Sequence, residues 1–304
     1  MQTINKKIIF WGTPLFALPS LKVLHDLDLV AAVVTQPDKA AGRNKKIKSS
    51  PVKIFAQENN IKILEPVKLD EAFINDIKKY LPAIFVVVAY GKIIPQDILD
   101  LSKMPAINIH PSMLPILRGP SPIQTAILKG FDSTGVSLMQ LDKKMDHGPI
   151  LSQIQAKISP NEDYFDLSER LSDLGADLLK KNIISYLEYE LKGRFQDDAK
   201  ATFCQMIAKA DGQISWQKTS QELHNQVRAF IDWPGSFVKL NNLDIKILQT
   251  KISDQDLEPG KILIDNNKLY IGTNNKSLEV LKIQPAGKKS MTAEEFIRGY
   301  QNKL

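Results

Sequence analysis

The stretch Lys7-Ile8-Ile9-Phe10-Trp11-Gly12-Thr13-Pro14 is an apolar run of strand length followed by a turn, and this pattern repeats along the first half of the chain. Apolar runs and helical patterns alternate after it. We expect strands at 7–11, 29–34, 61–64, 84–89 and 106–109, and helices from about residue 15, at 52–57, at 71–80 and at 164–188. Such alternation is typical of the α/β class, in which helices cover both faces of a mostly parallel sheet.

The second half of the chain predicts a small β-domain. Thr219 or Ser220 caps a helix with an apolar face formed by Leu223, Val227 and Phe230. Five short apolar runs follow at 236–240, 244–249, 260–264, 268–272 and 278–283. Five strands at this spacing favour a small barrel of the oligonucleotide-binding (OB) type, with Trp233 as a core aromatic at its entry.

A polar segment at 191–204 separates the two halves. We therefore expect a first domain at 1–189, a linker at 190–205 and a second domain at 206–304. The single cysteine, Cys204, excludes an internal disulfide, and this favours a cytoplasmic protein. We expect Cys204 itself to be buried. The uncharged run from Ile8 to Leu21 is too short to span a bilayer, so we expect no membrane segment.

Net charge is +6, a moderate excess that is weaker than a dedicated DNA-binding domain usually shows. It is compatible with an anionic macromolecular substrate that binds local basic patches. The first strand–helix turn lacks the Gly-x-Gly-x-x-Gly pattern, so NAD binding is not expected.

The candidate catalytic residues lie in the stretch Asn108-Ile109-His110-Pro111 and at Asp146. Asn108 and His110 stand two residues apart at a strand end and therefore point to the same side. Attack of an amine on a carbonyl carbon needs a donor for the developing oxyanion and an acceptor for a proton. Asn108 could supply the donor and His110 the base, with Asp146 orienting the imidazole. The alternative is that His110 only caps a turn.

His147 is a competing base in the same region. A metal site formed by His110, Asp142, Asp146 and His147 is conceivable from residue types, but no helical histidine spacing supports it, and we expect no metal. The segment from Lys39 to Lys53 contains six basic residues and no acidic one. It is expected to be a flexible basic loop, and the residues alone leave open whether it binds phosphates or is a solvated surface.

Eight segments together resemble the methionyl-tRNA formyltransferase family, and the resemblance runs almost end to end. They are Phe10–Pro14, Thr35–Lys39 with Ala41–Arg43, Val86–Gly91, Asn108–Pro115, Arg118–Gly119 with Pro122–Gln124, and Gln284–Lys289. The Asn, His and Asp residues alone would indicate only the wider formyltransferase superfamily, which includes purine-pathway and sugar-modifying enzymes.

The resemblance implies a Rossmann-like catalytic domain, a linker and a C-terminal OB-like domain that binds tRNA. It implies transfer of the formyl group of 10-formyltetrahydrofolate to the amino group of methionyl initiator tRNA, which yields N-formylmethionyl-tRNA for translation initiation. The matching catalytic residues are Asn108, His110 and Asp146. A monomer that binds no DNA is the expected form.

Further site residues follow from the same resemblance. The expected folate-binding residues are Tyr90, Gly91, Lys92, Ile93, Ser112, Met113, Leu114, Pro115 and Asp142. The expected tRNA contacts are Arg43, Lys45, Lys46, Lys48, Lys288 and Lys289. Because prolines restrict the Ser112–Pro115 stretch, we expect it to present backbone groups to a ligand.

The chain departs from the family pattern at a few positions, among them Pro111, where glycine is common, and His147, where threonine is common. Two alternative functions stay open. One is a formyltransferase acting on a small amine such as glycinamide ribonucleotide or an amino sugar nucleotide. The other is a non-catalytic tRNA-binding protein that responds to folate.

Overall fold

The computed structural model describes residues 8–41, 46–240 and 243–300, without the side chains of 39–41, 46 and 47. The chain divides into two compact units. Unit 1 comprises Met1–Gly119, Thr134–Ala156 and Ser168–Phe203, and unit 2 comprises Pro120–Ser133, Lys157–Leu167 and Cys204–Leu304. The expected domain limits at 1–189 and 206–304 stay a prediction.

The first nine strands are β1 (Ile8–Gly12), β2 (Val30–Val34), β3 (Lys39–Ala41), β4 (Lys46–Lys48), β5 (Ile63–Leu64), β6 (Ile84–Val88), β7 (Ile107–His110), β8 (Ser133–Gln140) and β9 (Ile150–Lys157). Seven of them form one sheet in the order β5-β2-β1-β6-β7-β8-β9. Strands β5, β2, β1, β6 and β7 run parallel, and β8 pairs antiparallel with β7. The mostly parallel α/β sheet expected from the sequence is confirmed.

The first six helices are α1 (Leu18–Asp26), α2 (Pro51–Glu58), α3 (Glu71–Lys78), α4 (Gln96–Leu99), α5 (Pro122–Leu128) and α6 (Tyr164–Leu187). The side chains of Ser50 and Asp70 accept backbone N–H bonds at the starts of α2 and α3, as N-caps do. Short 3₁₀ turns lie at Leu15–Ala17, Asp198–Lys200 and Lys209–Gly212. Within the described part of the chain, no helix combines the length and apolarity that a bilayer span requires.

Aromatic packing supports the carboxyl ends of β1 and β6. The Trp11 ring makes edge-on contacts with the rings of Phe73, Phe85 and Tyr90, with centroid distances of 5.7, 5.7 and 5.0 Å. Trp11 is fully buried. This packing fixes the sheet edge at which open α/β sheets bind their ligands.

The elements of unit 2 that follow are α7 (Ser220–Ala229), β10 (Ser236–Leu240), β11 (Leu243–Ser253), β12 (Ile262–Asp265), β13 (Lys268–Gly272), β14 (Ser277–Pro285), β15 (Met291–Thr292) and α8 (Ala293–Tyr300). Their antiparallel sheet has the order β10-β11-β14-β13-β12, with β15 beside β14. Thr219 and Glu222 form a capping box on α7, and Leu223 and Val227 are buried as expected. The predicted C-terminal β-domain is thus confirmed.

Several expectations were wrong or incomplete. The basic segment is not entirely irregular, because β3 and β4 pair as an antiparallel hairpin. Strands β8 and β9 and helix α5 were not predicted. Trp233 is 53% exposed, because it lies in the turn between α7 and β10, while Phe230 occupies the core. The burial expected for Cys204 is confirmed.

Candidate active site

Asn108 and His110 lie on β7, opposite Met139 and Ser137 of β8. Residues two apart on a strand face the same side, so both side chains point toward one surface of the sheet. His110 is 4% exposed and Asn108 is half-buried. Among the described residues, the Asn108 carboxamide has no hydrogen-bond partner, which leaves its N–H groups available to a ligand.

The His110 ring lies between a carbonyl and a carboxylate. Its Nε2 atom is 3.0 Å from the Leu117 carbonyl oxygen, and its Nδ1 atom is 3.6 Å from Oδ2 of Asp146. A carbonyl oxygen only accepts, so the neutral ring carries its hydrogen on Nε2. Nδ1 is therefore the nitrogen that can take a proton, and the carboxylate beside it stabilises the imidazolium that results.

The turn at Leu117–Gly119 holds both members of this pair. Leu117 supplies the carbonyl that fixes the His110 ring, and the Gly119 N–H donates to Oδ2 of Asp146 at 2.8 Å. Gly119 has a φ of 125°, a conformation that glycine adopts without steric strain. The Arg118-Gly119 pair of the sequence thus has a physical role next to the site.

The Ser112–Pro115 stretch differs from the expectation that it presents free backbone groups. The Ser112 carbonyl and the Leu114 N–H both bond to the Ser137 hydroxyl, at 2.6 and 3.1 Å. The Leu114 carbonyl accepts from Gln153 Nε2 at 3.0 Å. These groups are already satisfied within the protein. Met113 and Pro115 are the members of the stretch with partly exposed apolar side chains.

The expected folate-binding residues after β6 fall into two sets. Tyr90 is 2% exposed, and burial raises the pKa of its hydroxyl to about 12. Lys92 donates to the Val67 carbonyl at 3.0 Å. Gly91 has open space where a Cβ would stand, and Ile93 is 84% exposed. Backbone at Gly91 and the Ile93 side chain are therefore accessible, whereas the Tyr90 side chain is part of the core.

Asp142 pairs with His147 instead of His110. Its Oδ2 atom lies 2.6 Å from His147 Nδ1, and His147 Nε2 lies 3.4 Å from Oδ2 of Asp198. A hydrogen bond from Arg118, ahead of the other causes, lowers the pKa of the Asp198 carboxyl. His147 is thus held between two carboxylates next to Asp146. Among the described residues, no group of histidine, cysteine and acidic side chains is arranged to hold a metal ion.

The residues expected to contact tRNA are only partly described. Arg43 and Lys45 lie outside the described residues, and Lys46 is described only as backbone in β4. Lys48 is exposed. Lys288 and Lys289 are exposed in the turn after β14.

Sequence reasoning missed Gln196, and it gave Arg118 no role. Gln196 Nε2 donates to the carbonyls of Asp146 and Gly148 at 2.9 and 2.8 Å. Arg118, 4% exposed, donates from Nε to Gln196 Oε1 at 3.0 Å. Nothing in the sequence marked Gln196, because it lies in the polar segment read as a linker.

Comparison with known families gives two matches that cover most of the chain. The family described as formyl transferase matches residues 6–183, and the family described as formyl transferase, C-terminal domain, matches residues 206–301.

Close relatives match over nearly the whole chain. The methionyl-tRNA formyltransferase of Sulfurihydrogenibium sp. (strain YO3AOP1) is 38% identical over 304 residues, which cover 98% of each chain. The methionyl-tRNA formyltransferase of Desulfotalea psychrophila is 40% identical over 298 residues, which cover 96% of this chain and 92% of the relative.

Solved structures share the fold. WlaRD, described as a sugar 3N-formyl transferase and solved in the presence of dTDP and 5-N-formyl-THF, superposes with a TM-score of 0.70 at 25% identity, covering 94% of this chain and 99% of WlaRD. HypX from Aquifex aeolicus, in complex with tetrahydrofolic acid, gives a TM-score of 0.68 at 14% identity over 99% of this chain and 48% of HypX.

Proposed function

The chain belongs to the methionyl-tRNA formyltransferase family, and on that premise we propose that it transfers the formyl group of 10-formyltetrahydrofolate to the amino group of methionyl initiator tRNA. The observation that carries the proposal is the placement of His110 Nδ1 opposite Asp146, beside an Asn108 carboxamide that has no hydrogen-bond partner among the described residues. This set provides one base, one stabilising carboxylate and one oxyanion donor. Those are the groups that acyl transfer to an amine requires.

The residues present fit a formylated folate. Asn108 offers N–H groups that no described residue binds, Gly91 leaves open space, and Ile93 and Met113 offer apolar contact area. We place the folate against these residues, with Lys92, Ser112, Leu114, Pro115 and Asp142 shaping its surroundings and Tyr90 supporting the wall from the core. When bound, 10-formyltetrahydrofolate supplies an electrophilic formyl carbon.

The protein's own groups then act on the acceptor amine. His110 takes a proton from the amine at Nδ1, and Asp146 stabilises the imidazolium. Asn108 donates a hydrogen bond to the oxygen on which negative charge develops. One such donor contributes about 3–4 kcal/mol to the transition state, and general base catalysis about 10²–10⁴-fold in rate.

Basic residues serve the tRNA part of the acceptor. Arg43, Lys45, Lys46 and Lys48 of the basic segment 39–53, with Lys288 and Lys289 of the C-terminal domain, contact phosphates of the acceptor arm. Such contacts are electrostatic and weaken as salt is raised. Arg43→Ala should therefore lower tRNA turnover, and unchanged kinetics at physiological salt would remove Arg43 from this role.

The same proposal includes the domain limits, the oligomeric state and the cellular location. The formyltransferase domain is 1–189, the linker 190–205 and the tRNA-binding domain 206–304. The protein acts as a cytoplasmic monomer, binds neither DNA nor membrane, and uses no metal.

The test is a direct assay with purified protein, 10-formyltetrahydrofolate and methionyl initiator tRNA, in which formylmethionyl-tRNA and released tetrahydrofolate are both measured. Equal amounts of the two products are expected. A parallel reaction with a dTDP-linked amino sugar tests the alternative in which the acceptor is an amino sugar nucleotide. Formylation of the sugar without formylation of tRNA would replace the proposed acceptor, and folate binding without either product would overturn the transferase activity.

A further inference from the structure

We propose that Gln196 is a positioning residue for catalysis. It ties the loop backbone at Asp146–Gly148 to the Leu117–Gly119 turn, so that the Asp146 carboxylate faces the His110 ring. This inference rests on the proposed function. It assigns a role to the segment that the sequence suggested was only a linker.

The Gln196 carboxamide uses both of its ends. Nε2 donates to the carbonyl oxygens of Asp146 and Gly148, at 2.9 and 2.8 Å, on either side of His147. Oε1 accepts from Arg118 Nε at 3.0 Å. One side chain therefore ties the backbone that carries the carboxylate to the turn that orients it. A carboxylate could accept from Arg118 but could not donate to two carbonyls.

Neighbouring residues of the same segment hold the turn from its other side. The Leu117 N–H donates to Thr202 Oγ1 at 2.9 Å, and the Arg118 N–H donates to the Thr202 carbonyl at 2.9 Å. The Arg118 guanidinium also donates to Asp198 at 2.8 Å. Arg118 is nearly fully buried, and its bonds to Gln196 and Asp198 restrict the orientation of its guanidinium. The turn is thus fastened to residues about eighty positions further along the chain.

The orientations of His110 and Asp146 both depend on this arrangement. His110 is fixed through the Leu117 carbonyl, and Asp146 is fixed through the Gly119 N–H and through Gln196. Loss of the Gln196 bonds should let the loop backbone at Asp146–Gly148 shift relative to the His110 imidazole. A displacement of about 1 Å in a reacting group can cost about 10²-fold in rate. Gln196 is not among the residues proposed to bind folate or tRNA, so substrate binding should change little.

Two variants separate positioning from folding. Gln196→Met has a similar length and neither donor nor acceptor. Gln196→Glu keeps an acceptor for Arg118, and with it an ion pair that supports the fold, but it loses both N–H donors. The control is Lys200→Ala, which removes an exposed side chain of the same segment whose ion pair is with Asp197.

The experiment measures kcat and KM for both substrates well below the melting temperature of each variant, with circular dichroism as the check on folding. Gln196→Glu and Gln196→Met should lower kcat by about 10–100-fold, while both KM values stay within about threefold of wild type and Lys200→Ala matches wild type. A folded Gln196→Glu protein with wild-type kcat would overturn the inference, as would a loss confined to KM. Wild-type protein that formylates no tRNA would instead overturn the proposed function.

Discussion

Oδ2 of Asp146 lies 3.6 Å from His110 Nδ1 and accepts the Gly119 N–H at 2.8 Å. The backbone amide fixes the oxygen, and the imidazole is close enough to form an ion pair once it is protonated. The carboxylate is 14% exposed, so water screens this pairing only weakly. The charge of Asp146, and not only its shape, should therefore matter to the reaction.

Asp146→Asn should lower kcat by about 10²–10⁴-fold, because the amide can still accept from Gly119 but no longer stabilises the imidazolium. Folate affinity should change far less, and titration of intrinsic fluorescence with folate measures it separately from turnover. Asp197→Asn, an exposed acidic residue, serves as the control. A kcat within a few-fold of wild type would show that the carboxylate charge is not used.

Asn108→Ala should lower kcat by about 10²–10³-fold, the effect of removing one oxyanion donor. Its side chain has no hydrogen-bond partner in the described protein, so truncation should cost little folding stability. Single-turnover kinetics with saturating folate and tRNA would isolate the chemical step. A defect in KM with normal single-turnover rate would assign Asn108 to ground-state binding instead.

The sheet and the placement of Asn108 and His110 on one strand end could be predicted because both depend on short-range pattern. Apolar runs of strand length alternate with helical periodicity, and this alternation alone indicates a parallel sheet. The period of two places Asn108 and His110 on one side of β7. The start of α7 was likewise predicted, because Thr219 or Ser220 was expected to cap it and Thr219 does.

The remaining features depend on contacts between distant segments. Strand β8 contains small and polar residues at Ser133, Thr134, Gly135 and Ser137, and these weaken the apolar pattern by which a strand is predicted. Nothing in the sequence pairs Gln196 with Asp146, because the two carbonyls it binds are backbone groups. Apolar residues near a ligand and apolar residues in a core also look alike in sequence, so the inward packing of Tyr90 could not be foreseen.

Gly135→Ala should destabilise the protein by about 1–3 kcal/mol, the usual cost of overpacking. A Cβ there would clash with the Ile154 carbonyl oxygen and with Met113 Sδ. Gly299→Ala is the matched control, because its Cβ meets nothing within 4 Å and α8 would gain up to about 1 kcal/mol of helix propensity. Urea unfolding compares the two. Equal stability of both variants would show that β8 adjusts to the added methyl group.

Tyr90→Phe should leave stability at neutral pH unchanged or raise it by up to about 1 kcal/mol, because the buried hydroxyl has no partner among the described residues. Tyr186→Phe is the contrast. The Tyr186 hydroxyl donates to the Pro105 carbonyl at 2.9 Å and accepts from Gln140 at 2.9 Å, so its loss should cost about 1–2 kcal/mol. The folate KM should not respond to Tyr90→Phe, since the hydroxyl faces the core.

Alkaline pH should increase the difference in unfolding free energy between Tyr90→Phe and wild type. Burial raises the Tyr90 pKa from about 10 in the unfolded chain to about 12 in the folded one. Between these values the unfolded chain releases its proton first, so this group's contribution lowers wild-type stability as pH rises, by about 1.4 kcal/mol at about pH 11. Tyr90→Phe lacks that loss. The difference in unfolding free energy between the two proteins should therefore widen between about pH 9 and about pH 11, and a constant difference would mean that the Tyr90 hydroxyl reaches water.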